Sequence, residues 1–474
     1  MKGTTMFVAA AALICAAEQT PVDIGSRMEL FVDGYIIDSM KGVALKLHEP
    51  RPAGTALMLD QPWEGNTSTY CTVIKDADRY RLYYRGSSDE AYTPMKLLRA
   101  GETVVPKHEE VTCYAESKDG ITWMRPSLGL VEFRGSRANN IILAETAVHN
   151  FAPFRDGNPA APGESRYKAL GGSGKLFAYH SSDGVRWRKT REEPVLTDGA
   201  FDSLNVPFFD SLRGEYVAIY RDFRSGIRTI KFATSKDFLT WTPGIWADYG
   251  VAPLEQLYTN ATTPYFRAPH IYLSFPKRFL PHRTPLSEAP GKGVSETVFM
   301  SSRDGIHWDR RFLEALIRPG RDPRNWIHRS TMAATNVVPT GPDEMSLYVD
   351  RDYNWPTNRI ERFTWRTDGI VSVHADFRGG ELTTKPLLVD GNKLVLNYAT
   401  SAAGSLRVEV QDAQGNPLPG FALEDSKLLF GDKIDEAIPL GALTQPGKRS
   451  PGRPAVRLRF VMKDADLYSV QFRN

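Results

Sequence analysis

Net charge, cysteine, helical periodicity and long apolar runs are all scarce in this chain, and each scarcity excludes something. Of 474 residues, 59 are Lys or Arg and 56 are Asp or Glu, a formal net charge of +3. So small an excess gives no electrostatic case for nucleic acid or for an anionic membrane surface as partner. The one dense basic run, Lys448, Arg449 and Arg453 among Gly and Pro, reads as a solvated loop. No segment is apolar for long enough to span a bilayer. The short apolar run Met6 to Ile14 follows Lys2 and precedes Cys15-Ala16-Ala17, the pattern of an export signal over residues 1–17. It predicts an exported protein, periplasmic or extracellular. Lipidation of Cys15 is disfavoured, because Ile14 stands where a small residue is required. That leaves Cys71 and Cys113, with no C-x2-C metal spacing and no Cys/His nucleophile pair. Both fall in strands of one repeat, where bridging geometry is rare, so two buried free thiols are expected.

What the chain has in plenty is one small turn. "SKDGITW" runs from Ser117 to Trp123 and returns as "SSDGVRW" from Ser181, "SKDFLTW" from Ser235 and "SRDGIHW" from Ser302. A worn fifth copy, "RTDGIVS", begins at Arg366. The four tryptophans are 64, 54 and 67 residues apart, a period that marks a repeat architecture. An aromatic strand precedes each turn: "RYRLYYRG", "RYKALGG", "EYVAIYRD", "HIYLSFPKRF" and "EMSLYVDRD". Further alternating runs, such as "VTCYAES" and "IKFATS", lead into the turns. Alternation of period two with β-branched and aromatic residues means strands. Each unit is therefore an antiparallel meander, and five units predict a five-bladed β-propeller over residues 18–376. The turn is structural: its Asp can accept backbone N–H bonds, its Gly can take positive φ, and its Trp can pack between blades.

After about Phe377 the period is lost. Shorter strands and turn chemistry such as Gln414-Gly415-Asn416-Pro417 predict a β-sandwich over 377–474. The fold class is all-β. The stretch "RMELFVDGYIIDSM", starting at Arg27, is expected to lie along the propeller or to close its last blade. Only Gly379-Gly380 marks the junction, too short for a flexible tether, so the sandwich reads as a rigid structural partner.

On these motifs the chain resembles secreted bacterial glycoside hydrolase family 32-like proteins, carried by "LFVDGYIID", "RAPHIYLSFPKRF" and "GPDEMSLYV". It is also similar to the arabinanase and xylosidase propellers of family 43. The resemblance implies a secreted glycosidase acting on a poly- or oligosaccharide, without cofactor, although some such propellers face a central ion. It does not transfer catalytic residues. The Trp-x-Asn-Asp-Pro-Asn motif of the invertase type is absent, and so is its Glu-Cys pair. The Arg321-Asp322-Pro323 triplet lies between the fourth and fifth units, where the family's own triplet does not belong.

Propellers place ligands over the axis, and function has to be argued from that site. The segments expected to lead into the five inner strands are unusually polar. They hold Asn66, His149, Asn150, Asn205, Tyr258, Asn260, His328 and Arg329, a funnel suited to a sugar. Glycoside hydrolysis needs two carboxyl groups. The candidates are Asp202, Glu64 and Glu255, with Asp222, Glu296, Asp33 and Glu116 in reserve. His149 binds substrate, faces an ion or is structural. The cluster of Arg267, His270, Lys277 and Arg278 is either an anchor for an anionic sugar or charge that protects a strand edge. No other metal site is indicated. The competing functions are a non-catalytic glycan-binding propeller and a glycoside phosphorylase, for which Arg267 with Arg329 is the candidate phosphate pair.

Overall fold

The computed structural model describes residues 20–145, 147–284, 286–440 and 455–474. The export signal and the basic run at Lys448, Arg449 and Arg453 lie outside them. Among the described residues the structure is all strand and loop, with five short 3-10 turns as its only helices. Two compact units form. One comprises residues 30–33 and 45–372; the other holds the described residues of 1–29, 34–44 and 373–474.

The first unit is the propeller. Blade one pairs Thr69–Asp76, Arg79–Ser88, His108–Ser117 and Ile141–Leu143, in that order from the inside out. Blade two pairs Ala152–Arg155, Tyr167–Gly171, Phe177–Ser181 and Arg188–Lys189. Blades three and four repeat the meander from Val206–Asp210 and from Thr263–Tyr265. Blade five takes Val338–Pro339, Glu344–Arg351 and Arg359–Arg366, and borrows its outer strand, Arg51–Met58, from before blade one. That exchange closes the ring. The closing strand lies downstream of the stretch expected to do so. Ile37–Lys41 pairs instead with Gly380–Thr384 in the second unit. An outermost strand is solvated on one side. Arg51–Met58 buries only Leu57 fully, so it carried too little hydrophobic pattern to be recognised.

The repeated turn works as its residues dictate. The Asp119 carboxylate accepts from the backbone N–H of Ile121 at 2.7 Å and of Thr122 at 2.8 Å. The Ser117 hydroxyl accepts from Gly120 N–H at 2.9 Å. Asp183, Asp237 and Asp304 repeat the pattern. The residue after the Asp has φ of 74° at Gly120, 75° at Gly184 and 79° at Gly305. At Phe238 the same left-handed backbone carries a large side chain, with φ 69°. Phe238 is held there by edge contacts to Tyr216 and Trp241 and by Phe154. The tryptophans do bridge blades: Trp187 meets Tyr83 of blade one, and Trp123 meets Tyr348 of blade five.

A second stitch joins blades near the far ends of the inner strands. The tyrosine that pairs with the turn serine donates to a group of the preceding blade. Tyr167 donates to Asp76, Tyr216 to Asp156 at 2.9 Å, Tyr272 to Asp210 and Tyr80 to the Pro339 carbonyl. Cys71 and Cys113 are both buried and unbridged.

The second unit is all strand, and its strands belong to one ten-stranded sheet. It is built on two long strands, Lys393–Asp412 and Val456–Arg473, paired antiparallel along most of their length. Register shifts at Asn397/Tyr398 and Thr400/Ser405 break the pairing, as bulges do where strands bend. Leu394, Leu396, Leu406, Leu458, Phe460 and Phe472 are buried in its core. Val22–Gly25 adds a parallel pairing to Leu387–Val389, so this strand belongs to the second unit.

Candidate functional site

At the end of the propeller where the inner strands begin, a cavity of about 600 Å³ is lined from four blades. Blade one supplies Arg85 and Glu110, the loop into blade two His149, and the loop into blade three Asp202. The loop into blade five supplies Arg329, and Tyr353 follows that blade's second strand. These positions follow from strand length. Arg79–Ser88 and His108–Ser117 are ten-residue strands, longer than the eight-residue inner strand beside them, and their axial ends carry Arg85 and Glu110. His149 sits on a single 3-10 turn, Val148–Asn150, that leads into blade two. Arg329 has a left-handed backbone, φ 74°, a strained conformation that such sites often retain.

Two carboxylates meet one imidazole here. His149 Nδ1 lies 2.8 Å from Glu110 Oε2, and its Nε2 lies 2.7 Å from Asp202 Oδ1. Arg85 stands 3.1 Å from the other Glu110 oxygen and donates to the Thr67 carbonyl at 2.8 Å. Tyr70 underlies the group, 5.5 Å from the His149 ring and 4.8 Å from the Arg85 guanidinium. Burial pulls the imidazole toward neutrality, but the hydrogen bonds its N–H groups donate to Asp202 and Glu110 outweigh it and raise its pKa above 6.5. Burial likewise opposes ionisation of Glu110, yet His149 and Arg85 hold it below 4.5. His149 holds Asp202 below 3.8 in the same way. His149 thus bridges the two carboxylates, and both favour its protonated form. Both ring nitrogens are thereby engaged. Among the described residues no group of three or more His, Cys, Asp or Glu is arranged to hold a metal.

The side toward blades three and four is basic. Lys277 is 0% exposed, with Nζ 3.9 Å from the centre of the Tyr258 ring. Arg221 lies 4.6 Å and Arg228 5.3 Å from the same ring. Burial, Arg329 and Arg221 push the Lys277 ammonium well below its ordinary range. Burial, Lys277 and Arg329 push His328 down to about 2, so it is a neutral ring packed against Phe279 and Tyr258. Asp350, 2% exposed, accepts from Thr69 at 2.6 Å and from Met332 N–H at 2.6 Å; burial lifts it to about 6.

The residues expected at the site divide sharply. His149, Asp202 and Arg329 line the cavity, and Tyr258 and His328 pack beside Arg329's basic neighbours. Glu64 does not line it. It is fully buried against Arg125, 2.8 and 2.9 Å away, and Tyr84, in a structural cluster where burial raises its pKa. Glu255 is tied to Arg278 and Arg310, and Asp222 to Lys231 at 2.8 Å. Arg267 pairs with Asp368 at 3.0 Å, in the worn fifth turn. Among the reserves, Glu296 pairs with Arg278, Asp33 with Arg303 and Glu116 with Arg79. Asn150, Asn205 and Asn260 are buried clamps on loop backbone. Asn150 donates to Ser203 O at 2.6 Å, Asn205 to Ser203 O at 2.8 Å and Asn260 to Leu204 O at 3.2 Å. Asn66 closes blade one's own loop through Asp89 and Thr93. A buried amide needs all its partners, and loop carbonyls are the nearest ones.

Sequence reasoning missed Glu110, Arg85, Arg221, Arg228, Asp350 and Tyr353. A signal for two of them was present. Counting five residues on from the stitching tyrosine gives Arg85, Gly172, Arg221 and Lys277 in blades one to four. The tyrosines are equivalent by register, each facing its turn serine: Tyr80 with Ser117, Tyr167 with Ser181, Tyr216 with Ser235 and Tyr272 with Ser302.

No family model matches the sequence, and no curated protein matches it either. Among solved structures the chain is similar to a family 43 arabinoxylan arabinofuranohydrolase from Bacillus subtilis in complex with cellotetraose. Identity is 11%, the TM-score 0.43, and the match covers 86% of this chain and 96% of that one. It is also similar to a β-1,2-mannobiose phosphorylase from Listeria innocua, at 12% identity and TM-score 0.42, covering 68% and 96%. An N-acetylgalactosamine deacetylase from F. plautii matches at 14% identity and TM-score 0.40, covering 68% and 95%. Three different activities at such distance assign none, and the propeller stands on its own strand pairing.

Proposed function

We propose that the protein is a carbohydrate-active enzyme, a glycosidase whose reaction takes place in the axial cavity, with Glu110 and Asp202 as its carboxyl pair. The observation that carries this is the pair itself: two carboxylates from different blades, facing one open cavity and held apart by one imidazole. The bridging ring spaces them roughly 7 Å apart and itself fills the gap, so a sugar and its attacking water meet the pair from the cavity side. In this reading one carboxylate takes the proton of the attacking water. The departing oxygen receives a proton from the other side of the group, supplied by the His149 imidazolium. Tyr353 and Arg329 bind sugar hydroxyls; Arg329 already donates to the Tyr353 hydroxyl at 3.0 Å. The earlier candidates Glu64, Glu255 and Asp222 have no place in this mechanism, because each is already paired elsewhere.

The export expected from residues 1–17 belongs to the same proposal and is checked by fractionating cells that express the full chain. The test of activity is reducing-sugar release from a panel of neutral and acidic plant and algal polysaccharides. Release that disappears in both Glu110→Gln and Asp202→Asn supports the assignment. Intact folded protein that releases nothing from any of them, with or without added inorganic phosphate, makes it a binding propeller instead.

A further inference from the structure

Four basic side chains gather near Tyr258 and His328, three from blades three and four and Arg329 from the loop into blade five. Lys277 Nζ has no hydrogen-bond partner among the described residues, although it is 0% exposed. Arg221, 4% exposed, donates through Nε to the Ala200 carbonyl at 3.1 Å, and its Nη1 is unpartnered. Arg228 reaches Gln256 at 3.2 Å and Arg329 reaches Tyr353 at 3.0 Å, but the Nε atoms of both are buried without a partner. All four approach Tyr258, its neighbour His328 or one another. The carboxylates within electrostatic reach are Asp202, engaged by His149, and Asp350, engaged by Thr69 and Met332. Blade one shows what neutrality requires at the equivalent position: Arg85 has Glu110 beside it. Arg221 and Lys277 occupy that same place in blades three and four and have no such acid. Buried N–H groups without an acceptor are costly, and an anion seated among them would supply the missing acceptors and favour the protonated form of Lys277.

We propose that Arg221, Arg228, Lys277 and Arg329 form an oxyanion subsite adjoining the carboxylate pair. It takes a carboxylate or sulfate group carried by the sugar, or free inorganic phosphate. The first source makes the substrate an acidic glycan. The second makes the reaction a phosphorolysis: a phosphate oxygen bonds to the anomeric carbon, the glycosidic C–O bond breaks, and the departing oxygen takes a proton from the carboxylate–imidazole group. The acidic-glycan and phosphorolysis readings rest on the carbohydrate-active assignment; the presence of an anion site does not.

Calorimetric titration of the full chain in chloride buffer at constant ionic strength tests it, with inorganic phosphate, sulfate, D-glucuronate and D-galacturonate as probes and D-glucose as neutral control. Saturable binding of at least one anion is expected, with glucose at least about tenfold weaker. Arg228→Gln and Arg329→Gln should weaken the anion by about tenfold or more, the size of a lost charge-assisted bond. Arg228 is only half-buried, so its variant keeps the test valid if Lys277→Met or Arg221→Gln fails to fold. Phosphate binding without uronate or sulfate binding assigns the co-substrate. Uronate or sulfate binding without phosphate assigns the sugar's own charge. If no anion binds to folded protein, or if the Arg228 and Arg329 variants bind as tightly as the parent, the subsite does not exist. Glycosidase activity found alongside that result would leave the carboxylate assignment standing alone.

Discussion

The two ends of the propeller's second strands teach different things. At one end the blades are alike: Tyr80, Tyr167, Tyr216 and Tyr272 each face a turn serine and each donate to the preceding blade. Five residues on, at the axial end, they part company, with Arg85 beside Glu110, then Gly172, Arg221 and Lys277. Where blades join, three joints bury a tyrosine hydroxyl against a carboxylate and solve it with the same pair, while Tyr80 uses the Pro339 carbonyl instead. At the axis each blade sees a different part of one asymmetric cavity. Repetition therefore marks stability, and departure from it marks the site.

The comparison breaks if axial and joining residues fail to separate activity from stability. The largest effect should be on turnover. Glu110→Gln and Asp202→Asn should each lower kcat by about 100-fold or more, the scale of general acid–base catalysis, with a melting temperature close to the parent's. Steady-state assays with a melt in parallel check it. At the joining end the effects reverse. Phe238→Ala should destabilise by about 3 kcal/mol or more, because the lost aromatic packing exceeds the relief of a left-handed backbone. Denaturant unfolding measures it, and activity per folded molecule should hold. Asp183→Ala removes the acceptor of two turn N–H groups and should cost about 1–2 kcal/mol, read in the same way.

The smallest effect is in pH. His149 titrates above 6.5 in the fold, so its stabilisation is complete below 6.5 and is lost as pH rises through the raised value. Glu110 and Asp202 titrate below 4.5 and 3.8, so theirs is complete above those values and is lost as pH falls through the lowered ones. All three contribute fully between about 4.5 and 6.5, and activity should decline on the alkaline side only above 6.5. Asp202→Asn should bring the His149 value down, an effect that imidazole NMR titration resolves. An unchanged value would mean that the two side chains do not interact.

Much of the fold was legible because its signals are local. Alternation gives strands, and the Ser-x-Asp-Gly turn gives their connection. Five copies give the number of blades, and none of this depends on distant residues. Arg51–Met58 escaped because an outer strand shows little pattern until its partner in blade five is known. The site was legible in part. His149, Asp202 and Arg329 stood out as polar residues on the loops into the inner strands. Glu64, Glu255 and Asp222 looked equivalent to them, since a carboxylate's sequence does not show whether an arginine far along the chain has claimed it. Arg125 claims Glu64 from 61 residues away, and Arg310 claims Glu255 from 55.

By itself, then, the sequence determined an all-β chain, a five-fold repeat, a change of pattern near Phe377 and a polar funnel at the start of the inner strands. These are short-range properties, set by backbone preference and side-chain period. Only the tertiary structure decided which acids remain at the cavity, that Glu110 meets Asp202 through His149, and that Arg221 Nη1 and Lys277 Nζ find no partner among the described residues. Closing the ring brings residues of different blades within hydrogen-bond distance, and ionisation depends on those neighbours rather than on neighbours in the chain.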